Sequence, residues 1–556
     1  MSGPKPPPES HTNDLGALTG TLNEVFRSRR NITEFFVNQN DNIELSDPTA
    51  KSKFLKETHE AINACGGAAV SSLGGWNGEV PSITFESEED EQESLSPFGQ
   101  VALAASEQMW RNSYNMHAAY TSPVHRELTT QMIKNASLVG TKWDVDEEMS
   151  NVMILNSGSE ACDAMIKLVW QYWNGKMKPG ESKKPEAARK RLISRESSYH
   201  GNTIAALSLS HFPARQANFD GLLLSDDIFP KVDRYYPYRD MTSSEREVEQ
   251  YDDRLVNQFV DKIEKLGHKT VAAFVIETVS GAALGCQPAS LRYLRKIKKV
   301  CRHYKILLVY DEIMCGLGRT GYANAWHWYD KKFRDEGDQD DYIRPSGVEM
   351  KLEGLQNLAP DIMLFGKTLA AGLMPGAGLM VNKKVVTEIS GKGRSLREFS
   401  HGHTYQAHPG VCAAALKAQK LLPDLLNNIH DRSRQLEDGL KPLKDRNYIG
   451  DIRGRGLFWG VEFVTDKGDK SPFGADKSLS SEFAKHCRVP CREDPKQKGL
   501  DVYAGAWTKT KDAKNESTNG DHIIISPAYD SAKEDIEKII DLFTKRLGDF
   551  NWLKHQ

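Results

Sequence analysis

One lysine stands just beyond a strongly apolar run, and its position favours covalent chemistry. Lys367 follows the run Ile362–Phe365, with Gly366 between them. Lysine is rarely buried without a partner. A desolvated lysine has a lowered pKa and becomes a nucleophilic amine that can form a Schiff base with an aldehyde. The structural alternative is a lysine whose charged tip reaches the solvent.

A carboxylate follows another apolar run. Asp311, with Glu312 after it, comes directly after Ile306–Tyr310. Because an unpaired buried charge is costly, a carboxylate at the end of such a strand needs a cationic partner. A protonated pyridine nitrogen is one such partner. The structural alternatives are a helix cap and an internal salt bridge, for example with Arg319.

Two further positions could hold a phosphate and an aromatic ring. Gly158 and Ser159 lie between an apolar run and a predicted helix, where backbone N–H groups and the helix N-terminus attract an anion. Tyr199, in the segment Tyr-His-Gly, could stack on a planar ring. Taken singly, these residues are better explained as a helix cap without a ligand and an ordinary buried tyrosine.

The apolar runs predict the sheet that positions these residues. Five short runs lack the alternation of a half-exposed strand: Val152–Leu155, Arg191–Ser194, Val271–Ile276, Ile306–Tyr310 and Ile362–Phe365. Helical segments between them, such as the amphipathic, basic Ser290–His303, indicate a mostly parallel sheet that is buried on both faces. Ligands bind at the carboxyl ends of such strands. An anion cradle, a stacking ring, a carboxylate and a lysine at one edge are the parts that pyridoxal 5′-phosphate (PLP) needs.

Length, net charge and cysteine spacing limit the remaining functional classes. The chain has 556 residues, which is more than one hydrophobic core usually holds. Its formal net charge of −3 argues against nucleic acid or an anionic membrane as a partner. Its eight cysteines form no CxxC pair or zinc spacing, so we expect reduced thiols and no metal site. Without a secretory signal or an apolar run of about 20 residues, a cytoplasmic location is expected.

The chain resembles a known family through six motifs in the family's order. These are NSGSEACDAMIKL (156–168), SYHGNTIAALSLS (198–210), VIETVSGAALG (275–285), LLVYDEIMCGLGRTG (307–321), LAPDIMLFGKTLAAGLMPGAGLMV (358–381) and HGHTYQAHPGVCAAAL (401–416). Together they resemble the class III (subgroup II) PLP-dependent aminotransferases of fold type I, over roughly residues 73–463.

The resemblance implies an α/β fold with two domains. The large domain has a mostly parallel sheet of the seven-stranded type, and a smaller α+β domain is built from the two chain ends. We expect an N-terminal segment over 1–110 that joins the small domain, a large PLP-binding domain over 111–400 and a C-terminal small domain over 401–556.

The resemblance also implies a role for each matching residue. Lys367 holds PLP covalently and then moves the proton, Asp311 pairs with the pyridine nitrogen, and Tyr199 stacks on the ring; these three are the expected catalytic residues. The remaining cofactor contacts are the phosphate ligands Gly158 and Ser159, the ring neighbours Ile313 and Glu277, and Thr404, which reaches the phosphate of the neighbouring subunit. Thr404 therefore implies a homodimer with shared active sites.

The chain departs from the family pattern at two places, one beside the cofactor and one in the substrate site. Met314 stands where many members have a glutamine near the 3′-oxygen of PLP. No arginine occupies the C-terminal segment around Tyr503, where many members bind a substrate carboxylate; Arg453 and Arg455 are the nearest in sequence. We therefore expect a donor other than a simple amino acid.

Aromatic residues are the candidates for the substrate pocket. Trp76 and Tyr503 are predicted to shape it, with further aromatics in the segment that holds Trp110, Tyr114 and Tyr120. Such residues are also common in protein cores.

The preferred hypothesis is an aminotransferase that moves an amino group from an amine, possibly bulky or long, to a keto acid by a ping-pong mechanism. The alternatives are another PLP chemistry on the same fold, such as an aminomutase or a decarboxylating transaminase, and a non-enzymatic scaffold. A scaffold would not need Lys367, Asp311 and Ser159 together.

Overall fold

A computed structural model provides the structure of the chain. It describes residues 95–117, 121–137, 140–143, 146–174, 189–242, 244–245, 247–344, 349–390, 399–473, 479–489, 499–505, 508–511 and 516–555. Trp76 and Tyr120 lie outside these ranges, as do residues 1–14 and most of the acidic segment 87–96.

Strands and helices alternate along most of the described chain. In chain order the strands are β1 (Met149–Leu155), β2 (Arg191–Arg195), β3 (Lys231–Val232), β4 (Val271–Glu277), β5 (Val279–Ser280), β6 (Gln287–Pro288), β7 (Leu307–Asp311), β8 (Tyr342–Ile343), β9 (Met350–Lys351), β10 (Ile362–Phe365), β11 (Ala377–Asn382), β12 (Ile449–Arg455), β13 (Phe458–Phe463), β14 (Tyr503–Ala504), β15 (Thr508–Lys511), β16 (Glu516–Asn519) and β17 (His522–Ile525). The helices are α1 (Pro97–Arg111), α2 (Pro123–Ala136), α3 (Gly158–Asn174), α4 (Ile204–Leu209), α5 (Pro213–Gln216), α6 (Pro237–Asp240), α7 (Val248–Leu266), α8 (Leu291–His303), α9 (Trp326–Glu336), α10 (Lys383–Ser390), α11 (Pro409–Leu440), α12 (Leu479–Arg488) and α13 (Lys533–Asp549).

The predicted mostly parallel sheet is confirmed. Seven strands pair in the order β1-β11-β10-β7-β4-β2-β3. The pairs from β10 to β3 are parallel, and β11 runs antiparallel to both of its neighbours. All five apolar runs form strands of this sheet. The sequence reasoning missed β3, which has two residues, and β11, whose first residues are Ala377 and Gly378.

The absence of a polar–apolar alternation in the strands has a direct structural cause. Along β7, Leu307 and Val309 pack into the core on one face of the sheet, which includes α3. Leu308 and Tyr310 pack into the core on the other face, which includes α7 and α8. Both faces are covered, so successive side chains are apolar whichever way they point.

Helix α8 agrees with the predicted basic helix, but its polar face is buried as well. Ser290 caps the helix by accepting a hydrogen bond from the Tyr293 N–H at 2.9 Å. Arg295 pairs with Asp341 at 2.8 Å, and both side chains are almost inaccessible to solvent. Asp341 adjoins the β8–β9 hairpin, so this hairpin lies beside α8.

A second, antiparallel sheet carries the C-terminal part of the site. Its strands pair in the order β12-β13-β17-β14, and helices α12 and α13 pack on it around a separate core. The long helix α11 has residues in this core and in the core of the large sheet. The boundaries at 110 and 400 stay predictions. In the described part of the chain, no helix is long and apolar enough to cross a membrane.

Candidate active site

The carboxyl ends of β4, β7 and β10 open into a cavity of about 460 Å³. Eight of the ten predicted site residues line it: Gly158, Ser159, Tyr199, Glu277, Asp311, Ile313, Lys367 and Tyr503. Of the other two, Thr404 is exposed on the loop before α11, and Trp76 lies outside the described residues. The structure therefore brings the residues predicted at several strand ends into one cavity.

Asp311 is held by a residue to which the sequence reasoning gave no role. Its Oδ2 atom lies 2.7 Å from Nδ1 of the buried His200, and its Oδ1 accepts a hydrogen bond from the Ile313 N–H at 3.1 Å. The salt bridge with Arg319 does not form, because the Arg319 guanidinium donates to the carbonyls of Leu457 and Pro527. The position of His200 directly after Tyr199 was the available sequence signal.

Glu312, and not Asp311, is the helix-capping carboxylate. It accepts hydrogen bonds at 2.7 Å from the backbone N–H groups of Ala325 and Trp326, at the start of α9. Burial raises the pKa of Glu312 to about 7, while these hydrogen bonds act to lower it. The two adjacent acids thus have separate surroundings, and Asp311 alone of the pair lines the cavity.

Lys367 occupies a turn at the end of β10 with unusual backbone geometry. Its φ is +31°, a left-handed conformation that costs energy for a residue with a side chain. Burial of the ammonium lowers the pKa of Lys367, with a smaller contribution from Arg215, while Asp311 and Glu277 raise it. The prediction of a buried lysine needs correction: the strand is buried, but Lys367 is exposed to the open cavity. Protein atoms around the ammonium still displace enough water to lower its pKa.

The start of α3 forms an anion cradle. The helix begins at Gly158, and the Ser159 hydroxyl accepts a hydrogen bond from the Asn202 N–H at 2.9 Å, which leaves its own O–H to donate. A side chain at Gly158 would place Cβ 2.9 Å from Ile313 Cδ1. A side chain at Gly201, where φ is +145°, would place Cβ 2.8 Å from Ser159 Oγ. Only glycine allows this close approach.

Tyr199, Ile313 and Glu277 complete the part of the cavity nearest Asp311. The Tyr199 N–H donates to Glu277 Oε1 at 3.4 Å, and the Gly281 N–H donates to Oε2 at 2.9 Å. Burial raises the pKa of Glu277, and His200 opposes this shift. The Tyr199 and Ile313 side chains both line the cavity, in which a planar ring could lie. The residues present therefore fit PLP.

Neither arginine of β12 reaches the cavity. Arg453 is buried in contact with Glu462 at 2.8 Å and Asp451 at 3.1 Å, and its guanidinium also donates to the Leu284 carbonyl. The Arg455 guanidinium lies 3.2 Å from the centre of the Trp328 ring. Both therefore stabilise packing around the second sheet. The arginines that line the cavity are Arg215 and Arg319.

Comparison with known proteins decides the family. The profile described as aminotransferase class-III matches residues 99–333 and 352–487. The chain belongs to the class-III aminotransferase family. An aminotransferase of Gibberella zeae is 34% identical over 79% of this chain and 75% of its own length, and the vanillin aminotransferase of Capsicum chinense is 30% identical over 72% and 74%.

A solved relative supports the same assignment for this aminotransferase. The omega transaminase of Pseudomonas jessenii, determined in complex with PMP, is 28% identical with a TM-score of 0.64, over 81% of this chain and 84% of that one. The predicted family, fold type I architecture, aminotransferase activity and PLP cofactor are confirmed. Residues 334–351, which include the β8–β9 hairpin, lie between the two matched ranges of the profile.

Proposed function

We propose that this aminotransferase moves an amino group from an amine without a neighbouring carboxylate to a keto acid, in two half-reactions of a ping-pong mechanism. The observation that carries the proposal is the C-terminal wall of the cavity. Tyr503, Ile524 and Phe458 form this wall together with Ser526, and none of them carries a charge. A bidentate arginine–carboxylate contact combines charge with fork geometry, and the Tyr503 hydroxyl cannot replace it.

In this proposal, different residues hold the phosphate, the ring and the pyridine nitrogen of the cofactor. Gly158 and Ser159 bind the phosphate at the N-terminus of α3, where the helix dipole favours an anion. Tyr199 and Ile313 would hold the ring between them. Asp311 would pair with the pyridine nitrogen and keep it protonated, and Glu277 would complete the ring site.

Lys367 performs the proton transfer. When bound, PLP supplies an aldehyde that takes up the amino group and a ring that withdraws electrons from the reacting carbon. The Lys367 amine first holds the cofactor and, once the substrate amine has replaced it, accepts the proton from the amine-bearing carbon at Nζ. Its lowered pKa favours the neutral amine that this step requires.

We propose further that the active unit is a homodimer in which Thr404 reaches the partner's phosphate site. Thr404 is exposed, and it lies beside Tyr405, which is 59% exposed and whose ring meets that of Tyr114 with the ring centres 5.8 Å apart. The end of α1 and the loop after it add further exposed apolar side chains: Met109, Trp110 and Met116. An apolar surface of this kind beside the site fits a second copy of the chain.

The cysteines support a cytoplasmic location within this proposal. Those in the described residues are free and buried: Cys162, Cys286, Cys301, Cys315, Cys412 and Cys487. Burial raises the pKa of each of these thiols, which keeps them protonated and unreactive. Free buried thiols are typical of proteins from reducing compartments.

Absorbance measurements on the holoenzyme test the function. Amine donors are screened singly, then pyruvate or 2-oxoglutarate is added. We expect conversion to the pyridoxamine form without release of carbon dioxide, followed by return of the starting spectrum with the keto acid. Carbon dioxide release would indicate a decarboxylating reaction, and an unchanged spectrum with every amine would contradict amino transfer.

A further inference from the structure

A keto-acid acceptor brings a carboxylate into a cavity whose C-terminal wall carries no cation. The need for such an acceptor rests on the proposed function. A carboxylate removed from water needs a cationic or hydrogen-bonding partner. Apart from Lys367, which the chemistry uses, the cationic side chains that line the cavity in the described part of the chain are Arg215 and Arg319.

Arg319 is already committed to the protein. Its Nη1 atom donates to the carbonyls of Leu457 and Pro527, and its guanidinium lies over the Tyr529 ring at 4.5 Å from the ring centre. The residue is buried, with 7% of its surface exposed. These contacts fix it between the two sheets and leave little freedom to meet a substrate.

Arg215 has a different environment. It lies in the short helix α5, and its guanidinium carbon is 4.6 Å from the centre of the Tyr199 ring and 5.3 Å from that of Phe212. Its Nη1 donates to the Tyr199 hydroxyl over 3.4 Å. Within the described residues this is the one hydrogen bond of the guanidinium, and no carboxylate there forms a salt bridge with it. Among the described residues, most of its five N–H donors are therefore without a partner.

Aromatic side chains hold Arg215 at the wall of the cavity. Tyr199 and Phe212 meet edge to face, with their ring centres 6.0 Å apart, and together form an aromatic support for the guanidinium. A cation held over aromatic rings keeps its plane while its N–H edge stays free. The charge of Arg215 also reaches Lys367, because it lowers the pKa of that lysine.

We propose that Arg215 binds the carboxylate of the keto-acid acceptor. The planar guanidinium donates two parallel hydrogen bonds to the carboxylate, which sets the ketone carbon toward Lys367. In this arrangement the acceptor is selected by charge, while the amine donor is selected by the apolar wall around Tyr503. One cavity thus serves two substrates of different polarity without an arginine in the C-terminal segment.

The test compares two small acceptors that differ in the carboxylate. The pyridoxamine form of the holoenzyme is mixed with pyruvate or with propanal in single-turnover absorbance experiments. In R215Q we expect kcat/KM for pyruvate to fall about 100-fold, because a charged, bidentate contact is lost. The value for propanal is expected to stay within about threefold. R215K should lose only about tenfold with pyruvate, since lysine keeps the charge but not the fork.

A steric control and a binding measurement separate this role from a structural one. F212L keeps the charge but removes part of the aromatic support of Arg215, so its loss with pyruvate should be smaller than that of R215Q and larger than its own loss with propanal. Propionate, an unreactive carboxylate, should bind the wild-type holoenzyme about tenfold more tightly than it binds R215Q in calorimetric titrations.

Each remaining outcome has a defined meaning. Equal losses with pyruvate and propanal in R215Q, or an unchanged rate with pyruvate, would overturn the assignment of Arg215. Failure of every amine to convert the wild-type cofactor would instead overturn the proposed function. The two failures are distinguishable because the Arg215 variants are tested in the acceptor half-reaction alone.

Discussion

Asp311 and His200 form a buried hydrogen-bonded pair, with Oδ2 of the carboxylate 2.7 Å from Nδ1 of the imidazole. The Ile313 N–H occupies the other oxygen at 3.1 Å. Each carboxylate oxygen can accept more than one hydrogen bond, so Asp311 keeps acceptor capacity toward the cavity. His200 and Ile313 fix the direction of the carboxylate, which faces the cavity in which the proposed cofactor would bind.

Replacing Asp311 should therefore be far more harmful than replacing His200. We expect D311N to slow the donor half-reaction by about 100- to 1,000-fold, because the charge that stabilises the protonated ring is lost. H200F should slow it by about tenfold through misorientation of Asp311, and H200Q, which retains a donor, should recover part of that loss. Single-turnover absorbance measures all three. A D311N rate within threefold of wild type would contradict the assigned role.

Borohydride reduction should attach the cofactor to Lys367 alone. Peptide mass spectrometry of the reduced holoenzyme should find the pyridoxyl group on this residue. K367A should show no such adduct and no donor half-reaction, since the amine that accepts the proton is gone. K265A, which removes an exposed lysine on α7, is the matched control and should behave as wild type. Substantial turnover by K367A would refute the assignment.

The lowered pKa of Lys367 predicts the pH dependence of cofactor capture. Only the neutral amine attacks an aldehyde, so the rate at which the cofactor-free enzyme takes up PLP should rise with pH. Its midpoint should lie below 10.5, the ordinary lysine value, because burial favours the neutral amine. Glu277 opposes that shift, so E277Q should move the midpoint to still lower pH. A midpoint that moves upward in E277Q would show that the glutamate does not act on Lys367 through its charge.

Mixed dimers test whether Thr404 serves the partner's site. T404A alone should weaken PLP binding by about tenfold through loss of one hydrogen bond to phosphate. We then mix one K367A chain with one T404A chain in a heterodimer. If Thr404 acts across the interface, one site is intact and the other carries both substitutions. Wild-type affinity and rate should then return in half of the sites. If both sites remain defective, each by one substitution, Thr404 acts within its own subunit.

The uncharged wall around Tyr503 predicts the response to donor length. A buried methylene contributes about 0.8 kcal/mol, so kcat/KM for linear amines should rise by up to about fourfold per added carbon until the cavity is full. Alanine and 4-aminobutyrate, tested with the same acceptor, should be poorer donors than a long aliphatic amine. A strong preference for a small amino acid that disappears in one arginine variant would show that a donor carboxylate site exists.

Much of the site could be predicted from the sequence because its chemistry follows strand ends. Asp311 comes directly after a short apolar run and Lys367 one residue beyond another, and parallel strands bring their carboxyl ends to one edge of the sheet. Gly158 and Ser159 likewise follow a strand, β1, and begin the next helix, α3. Residue type and distance along the chain were sufficient for these assignments, since each depends on one strand and the turn that follows it.

The tertiary structure decided which distant groups meet. His200 and Asp311 are 111 positions apart, and no local pattern predicts their pairing. Arg453 and Arg455 carry the same charge as Arg215, yet buried acids and a tryptophan ring engage the first two, while Arg215 faces the cavity. A guanidinium is equally suited to a salt bridge, an aromatic ring or a substrate carboxylate. Its role depends on which groups the packed chain places around it, and that is a property of long-range contacts.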